Sequence, residues 1–344
     1  MKNILFIVNT EGQLLTAASL IFEKFNKATG YEPYILQVGK TGTARFQNEV
    51  NKTLLSDYYY EIDKEEKEIK KVLKELLTTR FERVFIFLEQ LKLNVYLTDY
   101  YKKNGAIICL APDGNKPYYS VDKAALGSRF QETIKTYLYL FKRKLFYFKP
   151  YFLSWNYAKL RPLDEIWVTY PEAFFFANNR KVIGFKVMPN EKVINEIVDF
   201  FNFKISDTLK SREDIIFYTN NILYKQDAYD VEIEAIKIIK EKFNDRPFYL
   251  KYHPLTPEPQ IKKFKELGLI CFCNSIPAEL YIASLKNAVI LGFWSTSLMV
   301  ENPNCKFYWL HKFLIKKGKM IDYINLANPT KHIVDIDNLD DIIF

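Results

Sequence analysis

The chain has 344 residues, 49% of them apolar and 26% charged, with only 11 glycines. That excludes a disordered or fibrous chain and suits two domains, each with its own core. Against 41 acidic residues stand 49 Lys and Arg, a formal charge of +8. This balance favours an anionic partner such as a nucleotide, an acidic glycan or a lipid surface. The basic residues form no long block, so nucleic acid is not an expected partner. The apolar run Ile4–Val8 is too short for a secretory signal, and no apolar window approaches the roughly 18 residues of a membrane span. Cys109, Cys271, Cys273 and Cys305 read as reduced core thiols, and the expected location is the cytoplasm.

In chain order, the opening NILFIVN has apolar residues at consecutive positions, as in a parallel strand covered on both faces. A turn at Thr10–Gln13 leads into a helix over Leu14–Lys27. A strand follows at Tyr34–Val38, a charged amphipathic helix at Glu61–Thr78, a buried strand at Arg83–Leu88, a helix at Leu93–Lys103 and a strand at Ala106–Leu110. This alternation marks a doubly wound α/β domain. Thr136–Arg161 is dense in aromatics interleaved with Lys and Arg. It reads either as a domain-linking helix with its aromatics in the core or as a surface resting on anionic lipid.

A strand at Glu165–Thr169 closes the first half, and the boundary is expected there, giving domains 1–165 and 166–344. The second half repeats the rhythm. Strands are expected at Asp214–Thr219, Pro247–Tyr252, Leu269–Cys273, Asn287–Gly292 and Lys306–Leu310. Helices are expected at Ala228–Phe243, Pro259–Leu267 and Ala278–Leu285, with another opening at Ser295–Ser297. Two such domains imply a cleft between them.

In open α/β sheets, ligands bind beyond the carboxyl ends of the strands, and four places there carry suitable side chains. Lys251-Tyr252-His253-Pro254 delivers a cation and an imidazole to a sheet edge, where His253 either serves a phosphate leaving group near neutral pH or is a structural residue of a turn. Ser295, Thr296 and Ser297 place hydroxyls at a strand-to-helix junction, which is an anion site or simply an N-cap. Glu279, in Ile276-Pro277-Ala278-Glu279, can hold the two hydroxyls of a ribose or merely favour a helix start. Asp113-Gly114 is either a turn or a general base facing an acceptor. His311 and His332 have no matching ligand pattern, and no Walker loop, G-x-G-x-x-G, H-E-x-x-H or Cys-x-x-Cys occurs.

In this order the four places resemble the bacterial sialyltransferases and polysialyltransferases of the GT-B fold, which carry an acidic-Gly motif, a Lys-x-His-Pro motif and a Ser-Ser or Ser-Thr motif. The matching residues are Asp113-Gly114, Lys251-Tyr252-His253-Pro254 and Ser295-Thr296; Ile276–Leu280 and Asn9–Leu15, with Gln13, are similar too. The resemblance implies a GT-B fold of two Rossmann-like domains, the first binding the acceptor and the second the nucleotide-sugar donor. It also implies metal-independent, inverting transfer from a CMP-activated, sialic acid-like sugar to a bacterial surface glycan, a lipooligosaccharide or capsule. Asp113 would be the base and His253 would serve the departing phosphate. Ser295, Thr296 and Ser297 would bind that phosphate, Lys251, Pro254 and Glu279 would contribute to the donor site, and Gln13 and Gly114 would meet the acceptor. No cofactor or metal is expected. The expected partners are the nucleotide sugar, a glycan acceptor of lipid-linked kind, the inner-membrane surface and a second copy of the chain. Pro112 stands where the family often has a second carboxylate, which keeps two rivals open: a transferase using a UDP-sugar or CMP-Kdo, and a non-catalytic relative.

Overall fold

The computed structural model describes residues 1–39, 50–62, 66–89, 91–121, 126–142, 157–158, 162–174, 180–204, 215–219, 226–253, 256–272, 276–319, 324–326 and 328–343. The chain divides into two compact units, Met1–Asn202 with Tyr323–Ala327, and Phe203–Asp322 with Asn328–Phe344.

In the first unit the strands β1 (Lys2–Val8), β2 (Tyr31–Val38), β3 (Tyr58–Ile62), β4 (Arg83–Ile86), β5 (Ile107–Leu110), β7 (Glu165–Val168) and β8 (Lys181–Gly184) form one parallel sheet, ordered β3-β2-β1-β4-β5-β7-β8. Ile4–Val8 are fully buried, as a strand covered on both faces requires. Helix α1 (Glu11–Glu23) follows β1. It is capped by Thr10, whose hydroxyl accepts the Gln13 amide at 3.3 Å. Helices α2 (Lys52–Leu55), α3 (Glu66–Thr78), α4 (Lys92–Lys103), α5 (Leu126–Lys142) and α6 (Glu191–Phe200) complete the unit. A short strand β6 (Tyr119–Val121) pairs antiparallel with β14 (Ile324–Leu326).

In the second unit β9 (Ile215–Thr219), β10 (Phe248–Lys251), β11 (Ile270–Phe272), β12 (Ala288–Gly292), β13 (Cys305–Trp309) and β15 (Ile333–Asp335) form a parallel sheet ordered β11-β10-β9-β12-β13-β15. Between them run α7 (Gln226–Lys242), α8 (Glu258–Glu266), α9 (Ala278–Ser284) and α10 (His311–Lys316). Both sheets wind outward in two directions from an inner strand. The loops leaving β1 and β4 therefore diverge, as do those leaving β9 and β12, and such switch points are where doubly wound folds open a ligand crevice.

Four expectations change. The domain boundary falls after Asn202 rather than at 165, because β7 adds to the first sheet beside β5 (Cys109↔Glu165, Leu110↔Ile166) and β8 adds beside β7. Glu61 and Ile62 belong to edge strand β3, so the helix expected from Glu61 starts at Glu66. The hydroxyl run Ser295–Ser297 opens only one 3-10 turn, Thr296–Met299, after which Val300 is extended. Of the cysteines, Cys109 is buried while Cys271 and Cys305 are only half-buried; Cys273 lies outside the described residues. The aromatic-basic stretch starts inside α5, and 143–156 and 159–161 lie outside the described residues. No helix among the described residues is long and apolar enough to cross a membrane.

Candidate functional site

In the first unit the site begins with Asn9 and Gln13, just past the carboxyl end of β1. The Gln13 side-chain carbonyl accepts the Asn9 backbone amide at 2.8 Å. With its oxygen committed, the amide group must present its N–H to the other side, and there it donates to the Asp113 carboxylate at 2.8 Å. Gln13 is buried, at 1% exposure. One buried side chain thus ties the end of β1 to the loop after β5, two strands away in the sheet. The second Asp113 oxygen pairs with Lys116, three residues on. Gly114 takes a left-handed backbone, φ 68°, which explains a glycine after the acid. Asn94, buried on α4, donates to the Leu88 carbonyl at 2.8 Å and to the Asn9 side-chain oxygen at 3.4 Å, bringing the end of β4 into the same network.

Sequence reasoning missed Glu89. It lies three residues past β4, is only 5% exposed, and accepts the Ala158 backbone amide at 2.5 Å. The signal was available: Glu89 is the first acidic residue after the apolar run Val84–Leu88.

In the second unit Lys251 ends β10 at 6% exposure, and His253 follows two residues later, half-buried. The His253 carbonyl accepts the Thr256 amide at 2.8 Å, closing the turn that ends the strand. Pro254 lies outside the described residues. Glu279 sits in the first turn of α9. Some of its surface remains exposed, yet protein crowds its carboxyl group. Burial therefore raises the pKa, and its own backbone amide and the nearby Lys251 ammonium offset this only in part. Lys251 and Glu279, which the sequence analysis assigned separately to the donor site, therefore lie close enough for the ammonium to act on the carboxyl.

On the far side of β9, Ser295 and Ser297 share a hydrogen bond between their hydroxyls at 2.7 Å, and Ser295 does not cap the 3-10 turn with its side chain. The N-cap reading of Ser295 therefore fails, and these hydroxyls are held by each other. Trp309 Nε1 donates to the Ser295 carbonyl at 3.2 Å and pins the loop. Gly292 is needed for the approach: a Cβ there would meet Thr219 Oγ1 at 2.9 Å and the Thr219 carbonyl at 3.1 Å. Only β9 separates the Lys251–His253 edge from the Ser295–Ser297 loop, a spacing of roughly 10 Å at the usual strand separation. Thr296 is half-buried between the two serines. His311, at 4% exposure beside Asp335, packs edge-on against Trp309 with ring centres 5.8 Å apart.

Chemically, the first unit offers a carboxylate oriented by the neutral Gln13 amide on one oxygen and the Lys116 ammonium on the other. The second offers a cation, an imidazole, a carboxylate with a raised pKa and paired hydroxyls along one sheet edge. Among the described residues no group of three or more His, Cys, Asp or Glu is placed to hold a metal ion.

No protein-family model matches the chain, and no curated protein matches it by sequence. Solved structures share its fold. An α/β-galactoside α-2,3-sialyltransferase from Photobacterium phosphoreum superposes with a TM-score of 0.56 at 15% identity, over 100% of both chains. The GT-B domain of a sialyltransferase from Photobacterium damselae gives 0.51 at 13% identity, over 90% of this chain and 91% of that one. A UDP-GlcNAc 2-epimerase from Methanocaldococcus jannaschii gives 0.53 at 13% identity, over 99% and 90%. The architecture is therefore the two-domain GT-B fold expected from the sequence, shared with the bacterial sialyltransferases that its motifs resemble.

Proposed function

We propose that this chain is a metal-independent, inverting glycosyltransferase that uses a nucleotide sugar, with a CMP-linked, sialic acid-like sugar as donor and a bacterial surface glycan, lipooligosaccharide or capsule, as acceptor. The observation that carries the reading is the donor edge of the second unit. Lys251, His253 and Glu279 gather around β10, with Ser295 and Ser297 one strand beyond β9, at a switch point of a Rossmann-like sheet.

In the reaction, the acceptor oxygen bonds to the anomeric carbon while the bond from that carbon to the phosphate oxygen breaks. Asp113 takes the acceptor proton. The electron pair leaves on the phosphate, which His253 protonates or hydrogen-bonds and the Ser295, Thr296 and Ser297 hydroxyls steady. Lys251 and Glu279 hold the nucleoside, the carboxylate accepting from ribose hydroxyls. A CMP leaving group carries one phosphate, which an imidazole and hydroxyls can serve without a divalent ion.

Gln13 holds the base in place through its amide, and Gly114 lets the loop turn beside the acceptor. Peripheral contact with an anionic membrane fits the reading: α5 exposes Ile134, Leu138 and Phe141 at helical spacing, with Lys135 and Lys142 alongside.

Thermal-shift measurements with CMP, UDP and GDP test the donor. CMP should raise the melting temperature most. A larger shift with UDP would transfer the reading to a UDP-sugar donor, and no shift with any nucleotide would remove it. Glu279→Gln adds an internal check. The folded-state carboxyl titrates above its unfolded value, so the stability linked to it is full at low pH and declines as pH rises through the raised pKa. At pH 7.5 the amide variant, free of that cost, should melt higher than the wild type without nucleotide, gain less from CMP, and lose its advantage as pH falls.

A further inference from the structure

Beside the proposed base lies a second set of polar groups that the reaction above does not use. Glu89, at the carboxyl end of β4, accepts the Ala158 backbone amide at 2.5 Å, and both residues are buried. Ala158 is fixed from both sides, since its carbonyl accepts from Arg180. Its neighbour Tyr157 is 4% exposed, and its hydroxyl has no hydrogen-bond partner among the described residues. A buried hydroxyl without a partner is costly and uncommon in a folded protein, and so marks a position where something else completes the bond.

Its surroundings define what that would be. Burial and the charges of Glu89 and Asp113 hold the phenol protonated, so it can donate. The buried Tyr118 hydroxyl accepts the Tyr170 amide at 2.9 Å. A group that accepts from a phenol and donates to a carboxylate is a neutral hydroxyl. An anion would face two carboxylates, and an ammonium would compete with Lys116 for Asp113.

We infer that Glu89 and Tyr157 form a subsite for a sugar hydroxyl beside Asp113 and so select and position the acceptor. This rests on the proposed transferase reading and deepens it. Glu89 supplies from the neighbouring strand a second carboxylate near the base, at a site where Pro112 occupies the preceding position in the motif itself.

The test is a binding measurement that needs no turnover. Saturation-transfer NMR is recorded with methyl glycosides of galactose, glucose and N-acetylglucosamine on the full chain, with Tyr157→Phe and Glu89→Gln alongside. Tyr157→Phe removes only the unpartnered hydroxyl, so its melting temperature should equal or exceed that of the wild type. Glu89→Gln keeps an oxygen for the Ala158 amide. At least one glycoside should bind the wild type, each variant should weaken it fivefold or more, and CMP titration should be unchanged in both. Equal glycoside binding by wild type and Tyr157→Phe, or no binding of any glycoside to the folded wild type, overturns the subsite. Failure of CMP alone, with glycoside binding intact and sensitive to Tyr157, overturns the donor reading and leaves the subsite standing.

Discussion

Asp113→Asn should lower transfer by about 10²- to 10⁴-fold, the usual worth of a positioned general base. The fold should be untouched. The asparagine carbonyl can still accept the Gln13 amide that now reaches the carboxylate at 2.8 Å, so the loop after β5 keeps its tie to β1. What the variant loses is the ability to take a proton and the ion pair with Lys116. That pair is part-exposed and contributes at most about 1 kcal/mol. On the proposed mechanism His253→Ala should give a comparable fall from the donor side, because the imidazole would act on the leaving phosphate in the same step. The two variants separate in their nucleotide affinity: Asp113→Asn should bind CMP as the wild type does, and His253→Ala more weakly. Steady-state rates with melting curves on each protein check this. A near wild-type rate in either variant moves that role to another residue.

Arg83→Met should be strongly destabilising although it lies outside the sites. Arg83 Nη1 meets Glu165 Oε2 at 2.5 Å, with side chains 18% and 7% exposed. The same oxygen accepts from Trp167 Nε1 at 3.2 Å and lies 3.4 Å from the Cys109 thiol, whose pKa burial raises far above its ordinary value. Removing the arginine strands a buried carboxylate beside a neutral thiol. Losing one partner of a buried pair costs about 3 to 5 kcal/mol. We expect the lower end, about 3 kcal/mol, because Lys181 remains 3.3 Å from the other Glu165 oxygen, though it is 68% exposed. For a unit of this size that lowers the melting temperature by roughly 6–12 °C. Adding Glu165→Gln to the same chain removes the stranded charge and should recover half or more of the loss. No recovery would mean that packing of the Arg83 stem, and not charge, holds this end of the sheet.

The parts of the fold legible in sequence are those where one physical cause acts alone. Strands β1, β4, β5, β9, β10 and β12 are buried on both faces, and their consecutive apolar residues mark them. Edge strands escape the same reading. The tyrosines of β3 are half-exposed, with Tyr34 and Tyr58 stacked at 4.2 Å between ring centres, and an aromatic run of this kind has neither strict alternation nor a continuous buried stretch. The residues of β8 are part-exposed as well. The domain boundary was misplaced for a topological reason. β7 follows β5 only after a connection of more than fifty residues containing α5, and nothing local in Glu165–Val168 records which sheet it joins.

The site divides similarly. Lys251, His253 and Asp113 are legible because each sits at or just past the carboxyl end of a legible strand, and the closeness of Lys251 to Glu279 and of Asp113 to Gln13 follows from strand order. Glu89 and the Asn9–Asn94 network depend on buried side chains meeting across separate elements, which sequence spacing does not encode. The paired hydroxyls of Ser295 and Ser297 were visible as residues, but their mutual bond replaced the helix cap that their types favour.

The measurement that bears most directly on the account is nucleotide release from CMP-linked, UDP-linked and GDP-linked sugars incubated with the wild-type chain, followed by the configuration of the transferred or hydrolysed sugar. The account predicts CMP release from a CMP-linked donor, inversion at the anomeric carbon, and loss of that release in His253→Ala. Release of no nucleotide from any donor, or release that persists unchanged in His253→Ala, would contradict it.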